Sequence, residues 1–129
     1  MFTIEQIKAA HSKVKSGADF PQYIRDIMQL GVTSYETYVI DGHSVYLGEE
    51  GYQVASDAKY PALAVANASN REEFQQGLKE HQQGKTDFLG FCGMAADQGV
   101  EKWVVDIEKM TCTYFDKRDN EMLEEQIPG

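Results

Sequence analysis

Glu36, Tyr38, His43 and Tyr52 are the side chains whose types could cooperate chemically, provided that two successive tight turns bring them to one side of a sheet. A carboxylate held among aromatic rings has a raised pKa and can exchange a proton with a bound molecule. The structural alternative is that Glu36 sits at the sheet margin and reaches water or pairs with a lysine or arginine. On the other side of the same strands Tyr35, Thr37, Val39, Ser44 and Tyr46 make an aromatic and hydroxyl surface. Tyr35 and Tyr46 are its candidate interface residues, for a ligand or a second copy, unless a helix lies over them.

Other familiar chemistries find no support. Metal binding needs converging ligands, and His11, His43 and His81 fall on separate elements without HxH or HExxH spacing, so no metal site is expected. The two cysteines, Cys92 and Cys112, form no CxxC pair. Both read as small buried hydrophobes rather than activated thiols, close enough to crosslink only if the helix carrying Cys92 lies over the strand carrying Cys112. The glycine-rich stretches lack GxGxxG and GxxxxGK[ST] arrangements, and no GxSxG elbow occurs, so no nucleotide cofactor and no serine hydrolase is indicated.

Positioning these residues requires a sheet, and Gly99 to Asp116 supplies its clearest part. Trp103, Val105 and Ile107 alternate in register with Tyr114, Cys112 and Met110 across a turn at Glu108-Lys109, which makes that face core. A strand over Val32–Ile40, an Asp41-Gly42 turn and a strand over His43–Leu47 form a second hairpin. A turn at Gly48–Gly51 would carry Tyr52 and Val54 onto the face of Glu36, Tyr38, Ile40, His43, Val45 and Leu47. PALAVA, residues 61–66, reads as a short buried strand, and residues 121–127 as a strand or a helical turn.

Helices are expected at about 4–15, after Thr3 with Gln6 as capping box, and from Asp19 to Gly31, with Ser16-Gly17-Ala18 as the break between them. A third, at about 70–83, follows Ser69 with Glu72; a fourth, capped by Thr86 or Asp87, packs Phe88, Leu89, Phe91, Cys92, Ala95 and Ala96 inward. Gly90 and Gly93 inside it imply close approach to another element. The order α-α-β-β-β-β-α-α-β-β predicts one α+β domain over residues 1–129, with a mostly antiparallel sheet of about six strands covered by about four helices and no internal repeat.

At 129 residues the chain buries roughly two-thirds of its unfolded surface, enough for one ordinary core. Its net charge of −9 works against binding phosphate backbones, so nucleic acid is not an expected partner. No run of about 18 apolar residues and no signal-peptide pattern occurs, which predicts a soluble, cytoplasmic protein without a membrane partner.

FTIEQIKAAHSKVKSGADFPQYI, GVTSYETYVIDG, HQQGKTDF and VEKWVVDIEKMTCTYFD resemble a bacterial and prophage-associated family of unknown function, the YdfO-like group, sometimes labelled a phage envelope protein. The resemblance runs over nearly the whole chain and implies an α+β fold with no established activity, so it transfers no catalytic residue. The leading expectation is a non-catalytic protein-interaction or accessory module of prophage origin, binding a protein partner or a second copy. The alternatives are a small-molecule binder or enzyme with a pocket between sheet and helices, and a DNA mimic presenting carboxylates at phosphate spacing.

Overall fold

The structure, a computed structural model, describes residues 1–15 and 19–127. Thr3 opens α1 (Ile4–His11) with a reciprocal cap: its Oγ1 accepts the Gln6 amide at 3.2 Å, and Gln6 Oε1 accepts the Thr3 amide at 2.9 Å. The helix stops at His11, short of residue 15, and the expected break at Ser16-Gly17-Ala18 lies outside the described residues. In α2 (Phe20–Leu30) Pro21 occupies the first turn and Gly31, at φ +110, ends the helix. Asp19 does not cap it; its carboxylate accepts the Lys15 amide at 2.9 Å instead.

The remaining elements are β1 (Ser34–Tyr38), β2 (Ser44–Leu47), β3 (Gln53–Ala55), α3 (Arg71–Gln82), α4 (Phe88–Asp97), β4 (Val100–Asp106), β5 (Thr111–Asp116) and β6 (Glu121–Gln126), with one 3-10 turn at Glu49–Gly51. The strands form a single sheet in the order β3-β2-β1-β4-β5-β6, antiparallel throughout. This is the expected α+β architecture, four helices with six strands among the described residues. Of the two forms expected for residues 121–127 the strand is the one found, over 121–126, whereas the strand expected at residues 61–66 does not form.

PALAVA joins no ladder, although the outer edge of β3, the strand just before it, is unoccupied among the described residues. The segment instead bridges the two ends of the molecule on single backbone bonds, Leu63 N–H to Ile40 O at 2.7 Å and Ala66 N–H to Ala96 O at 2.9 Å. Asn70, not Ser69, caps α3, with Oδ1 accepting the Glu73 amide at 3.1 Å. Asp87 caps α4 as expected.

In the β4–β5 hairpin Trp103 faces Tyr114 and Val105 faces Cys112, as the alternation requires. Their side is the core. Both its flanks are roofed by aromatic rings from the helices: Tyr23 of α2 packs edge-on to Tyr35 at 6.5 Å, and Phe91 of α4 lies 5.7 Å from Trp103. Phe74 of α3 sits 4.8 Å from Tyr114. Leu89 is 54% exposed, contrary to the inward packing expected, and Phe88, at 36%, packs only at the core's margin, 6.5 Å from Trp103. A Cβ on Gly93 would meet nothing and one on Gly90 only Asp87 and Thr86 at the helix's own N-terminus, so neither marks a close approach to another element. That role belongs to Gly77, where a Cβ would lie 2.5 Å from the Met94 side chain of α4.

On β1 and β2 the expected burial is reversed. Tyr35, Thr37, Val39, Ser44 and Tyr46 are all buried, whereas Glu36, Tyr38, Val45 and Leu47 are half-exposed. The candidate interface of Tyr35 and Tyr46, each 4% exposed, is therefore a core layer beneath the first helical pair. Burying hydroxyls that satisfy one another costs less than burying a carboxylate. Thr37 and Ser44 hydroxyls bond at 2.7 Å, those of Tyr23 and Tyr46 at 3.3 Å, and Glu36 stays in water.

The chain also repeats itself, which the residue pattern did not predict. Each half runs helix, helix, three-stranded meander, and the sheet order reads outward identically from its centre. One interval, 68 residues, separates the positive-φ positions Gly31 and Gly99, Gly42 and Met110, and Gly51 and Asp119. The same interval relates the aromatic layer Tyr23-Tyr35-Tyr46 to Phe91-Trp103-Tyr114. Glu36 pairs directly with Val104, its counterpart at that interval, so a pseudo-two-fold axis passes between them.

The β5–β6 turn is organised by Asp116, whose Oδ1 accepts the amides of Arg118 and Asn120, each at 2.9 Å. Burial alone would raise its pKa, but the amides of Asn120 and Arg118 and the side chains of Asn120 and Ser69 outweigh it and hold the carboxyl below its ordinary value. A group depressed in the folded state stabilises above its unfolded pKa, about 3.9, and that stabilisation is lost as pH falls through the folded value. Asp116→Ala should therefore destabilise the protein by about 1–3 kcal/mol at pH 7. In urea titrations the gap from wild type should narrow below about pH 4; a gap independent of pH would reject the carboxylate's role.

Candidate functional site

With all four helices contributing to the core on one side, the other face of the sheet is open. Its centre is the Glu36–Val104 pair, flanked by Tyr38 opposite Lys102 on β1 and β4, and by Phe115 opposite Lys102 on β5. Val45 and Leu47 extend the strip toward β3, and Thr113 toward β6. These side chains are half-exposed rather than buried.

The structure brings together three of the four proposed ligand-binding residues. Tyr38 donates to Glu36 Oε2 at 2.9 Å, and its ring stacks on His43 at 4.7 Å with an interplanar angle of 8°. Glu36 is not buried among the rings; it pairs with Lys102 at 3.6 Å, the structural alternative read from the sequence. Lys102 also approaches Asp119 at 3.9 Å and lies over the rings of Phe115 and Tyr38. Tyr52 belongs to the opposite face, where it packs edge-on to Phe2 at 4.8 Å and donates to the Phe2 carbonyl. The cause is one residue of loop length: Leu47 pairs with Gln53 rather than with Tyr52, and a single-residue slip turns every side chain over. The first turn also departs from the expected two-residue form, but by an even step, Thr37 pairing with Ser44, which leaves the faces intact.

Asp41, which the sequence reading used only as a turn residue, joins the cluster. Its carboxylate accepts the His43 amide at 3.0 Å and contacts the ring Nδ1 of the same residue. The His43 amide first, then its ring, hold the Asp41 pKa below the usual value. Burial and the Glu36 contact push the Tyr38 phenol up. An Asp–His pair can orient an imidazole as a base, but no hydroxyl or thiol among the described residues bonds to His43, and the face offers no enclosure. Its geometry suits contact with another surface.

Cys92 and Cys112 are free and buried. Burial raises both thiols, Cys112 to about 12, so neither is a thiolate near neutrality. Among the described residues no group of His, Cys, Asp and Glu is arranged to hold a metal, and no helix is long and apolar enough to cross a membrane. Two shallow clefts lie away from the open face, one between α1 and residues 56–59 and one between α3 and β6.

A protein-family model described as "Protein of unknown function (DUF1398)" matches residues 8–126. Two of the similar curated proteins are "Uncharacterized protein Rv2012" of Mycobacterium tuberculosis (strain ATCC 25618 / H37Rv) and "Uncharacterized protein Mb2035" of Mycobacterium bovis. Each is 31% identical over 108 residues, covering 81% of this chain. The chain spans 65% of the length of these relatives.

Proposed function

The chain belongs to the DUF1398 family of unknown function, and from that premise we propose that it is a non-catalytic interaction module whose open sheet face docks a basic protein partner. The observation carrying this reading is the one-sided sheet: Tyr38, Val45, Leu47, Val104 and Phe115 are half-exposed on a face that no helix among the described residues covers. Glu36, Asp106 and Glu124 lie on that face, against Lys102 and His43. The excess is acidic, as is the chain at −9, and complementary charge on a partner steers docking and fixes its register. A DNA-binding protein, to which the acidic surface would present itself as a DNA mimic, is one member of that partner class. Free thiols are in keeping with a cytoplasmic setting, and the motifs similar to the YdfO-like group support a prophage origin.

Affinity capture with the full chain tests the reading when paired with variants. Val104→Arg, at the centre of the face, should fold normally and weaken the recovered complex at least about tenfold, as expected for a central anchor. Leu89→Arg, on the helical side, should leave the complex intact. A partner retained equally by Val104→Arg, or lost equally in both variants, would overturn the assignment of the face.

A further inference from the structure

The two clefts correspond through the repeat, but their polar contents differ. In the second half Glu125 occupies the cleft between α3 and β6, its Oε1 accepting from the Tyr114 hydroxyl at 3.2 Å and its Oε2 from the Gln82 amide at 2.8 Å. Tyr46, 68 residues before Tyr114, lines the cleft of the first half. There β3 ends at Ala55, and Asp57, at the position corresponding to Glu125, is exposed and makes no hydrogen bond to Tyr46 among the described residues.

The first cleft thus has a donor without its carboxylate. Tyr46 is 4% exposed, and its hydroxyl has one partner among the described residues, the Tyr23 hydroxyl at 3.3 Å. Two paired hydroxyls use one of their two protons on each other and leave the second for an acceptor. Lys8 and Lys59 line the same cleft, neither of them in an ion pair among the described residues, and the Lys59 ammonium lies 6.0 Å from the Phe88 ring. Desolvation of its ammonium lowers the Lys59 pKa, with Cys92 opposing and the charge of Lys8 adding to the shift, while burial and Lys59 lower that of His11. Asp57 lines the cleft too, outnumbered by the lysines. Ile4 and Ile7 supply an apolar wall of this shallow cleft.

We propose that this cleft binds a small organic carboxylate, whose carboxylate group takes the place that Glu125 fills in the other half. It accepts from the Tyr46 hydroxyl and faces Lys8 and Lys59, while its apolar body lies on Ile4 and Ile7. The site is separate from the open sheet face and does not depend on the docking reading.

The probe is sodium hexanoate, titrated into the isotopically labelled full chain while amide resonances are followed, with hexanol and hexylamine titrated in parallel at matched ionic strength. Saturable shifts centred on Lys8, His11 and residues 56–59 are expected for hexanoate alone. Lys59→Met and Tyr46→Phe should each weaken binding about tenfold, the usual loss for a bond to a charged group. Lys79→Met, in the second cleft, should not change it. Lys59 is exposed, so its substitution leaves folding intact even if Tyr46→Phe disturbs the core. Equal shifts with hexanol, no saturation, or wild-type binding by Lys59→Met would overturn the proposal.

Discussion

Phe74→Ala lowers the unfolding free energy by about 3–5 kcal/mol, the loss typical of an aromatic ring removed from a closed core. Phe74 is fully buried at 0% exposure, 4.8 Å from Tyr114 and 6.1 Å from Phe91. It and Leu78 are the buried residues of α3, so the substitution removes much of what holds that helix to the sheet. Urea unfolding should show a lower midpoint with an unchanged slope. Leu89→Ala, at a side chain 54% exposed, should stay within about 0.5 kcal/mol of wild type. A Phe74→Ala midpoint equal to that of Leu89→Ala would show that α3 does not depend on this ring.

Gly99→Ala costs about 2–5 kcal/mol, from about 1–2 for a left-handed residue with a Cβ and about 1–3 for overpacking. The backbone there has φ +85, and a Cβ would stand 2.6 Å from the Ala68 carbonyl oxygen and 2.7 Å from Ser69 Cα. Both are main-chain atoms, so relief requires the segment entering α3 to move. Gly31 provides the comparison: it ends the matching helix at φ +110, but the nearest atom to its Cβ would be Phe2 Cδ2 at 3.7 Å. Gly31→Ala should lose only the conformational part, about 1–2 kcal/mol. Thermal and urea unfolding of both variants decides the matter. A larger loss at Gly31 would mean that the Ala68–Ser69 chain gives way freely.

The Trp103–Tyr114 hairpin could be read from residue types because both strands alternate apolar side chains with a mixed face across one turn. The first hairpin defeated the same logic. Hydropathy favours Val45 and Leu47 over Ser44 and Thr37, but the hydroxyls find each other across the ladder, and that pairing is invisible until the register exists. PALAVA looks like a strand by composition, yet its backbone bonds singly to Ile40 and Ala96 rather than along a sheet edge, and composition does not show that choice. The repeat leaves few identities: Glu5 and Glu73, Asp19 and Asp87, Phe20 and Phe88, Gly31 and Gly99, Val32 and Val100, and Tyr46 and Tyr114 agree at the 68-residue interval, while most other positions differ. Side-chain parity along β1 and β2 was enough to group Glu36, Tyr38 and His43. Tyr52 was misplaced by one residue of turn length, and the partnership of Glu36 with Lys102 required the β1–β4 pairing.

A seam in which position 36 meets position 104 is the one that two copies of a half-length chain make when they join as a homodimer. In such an assembly every substitution lands twice, and both subunits must keep whatever either needs. Fusion into one polypeptide lifts that constraint. One side can satisfy Tyr114 from its own backbone neighbourhood, through Glu125, while the other leaves Tyr46 free to specialise.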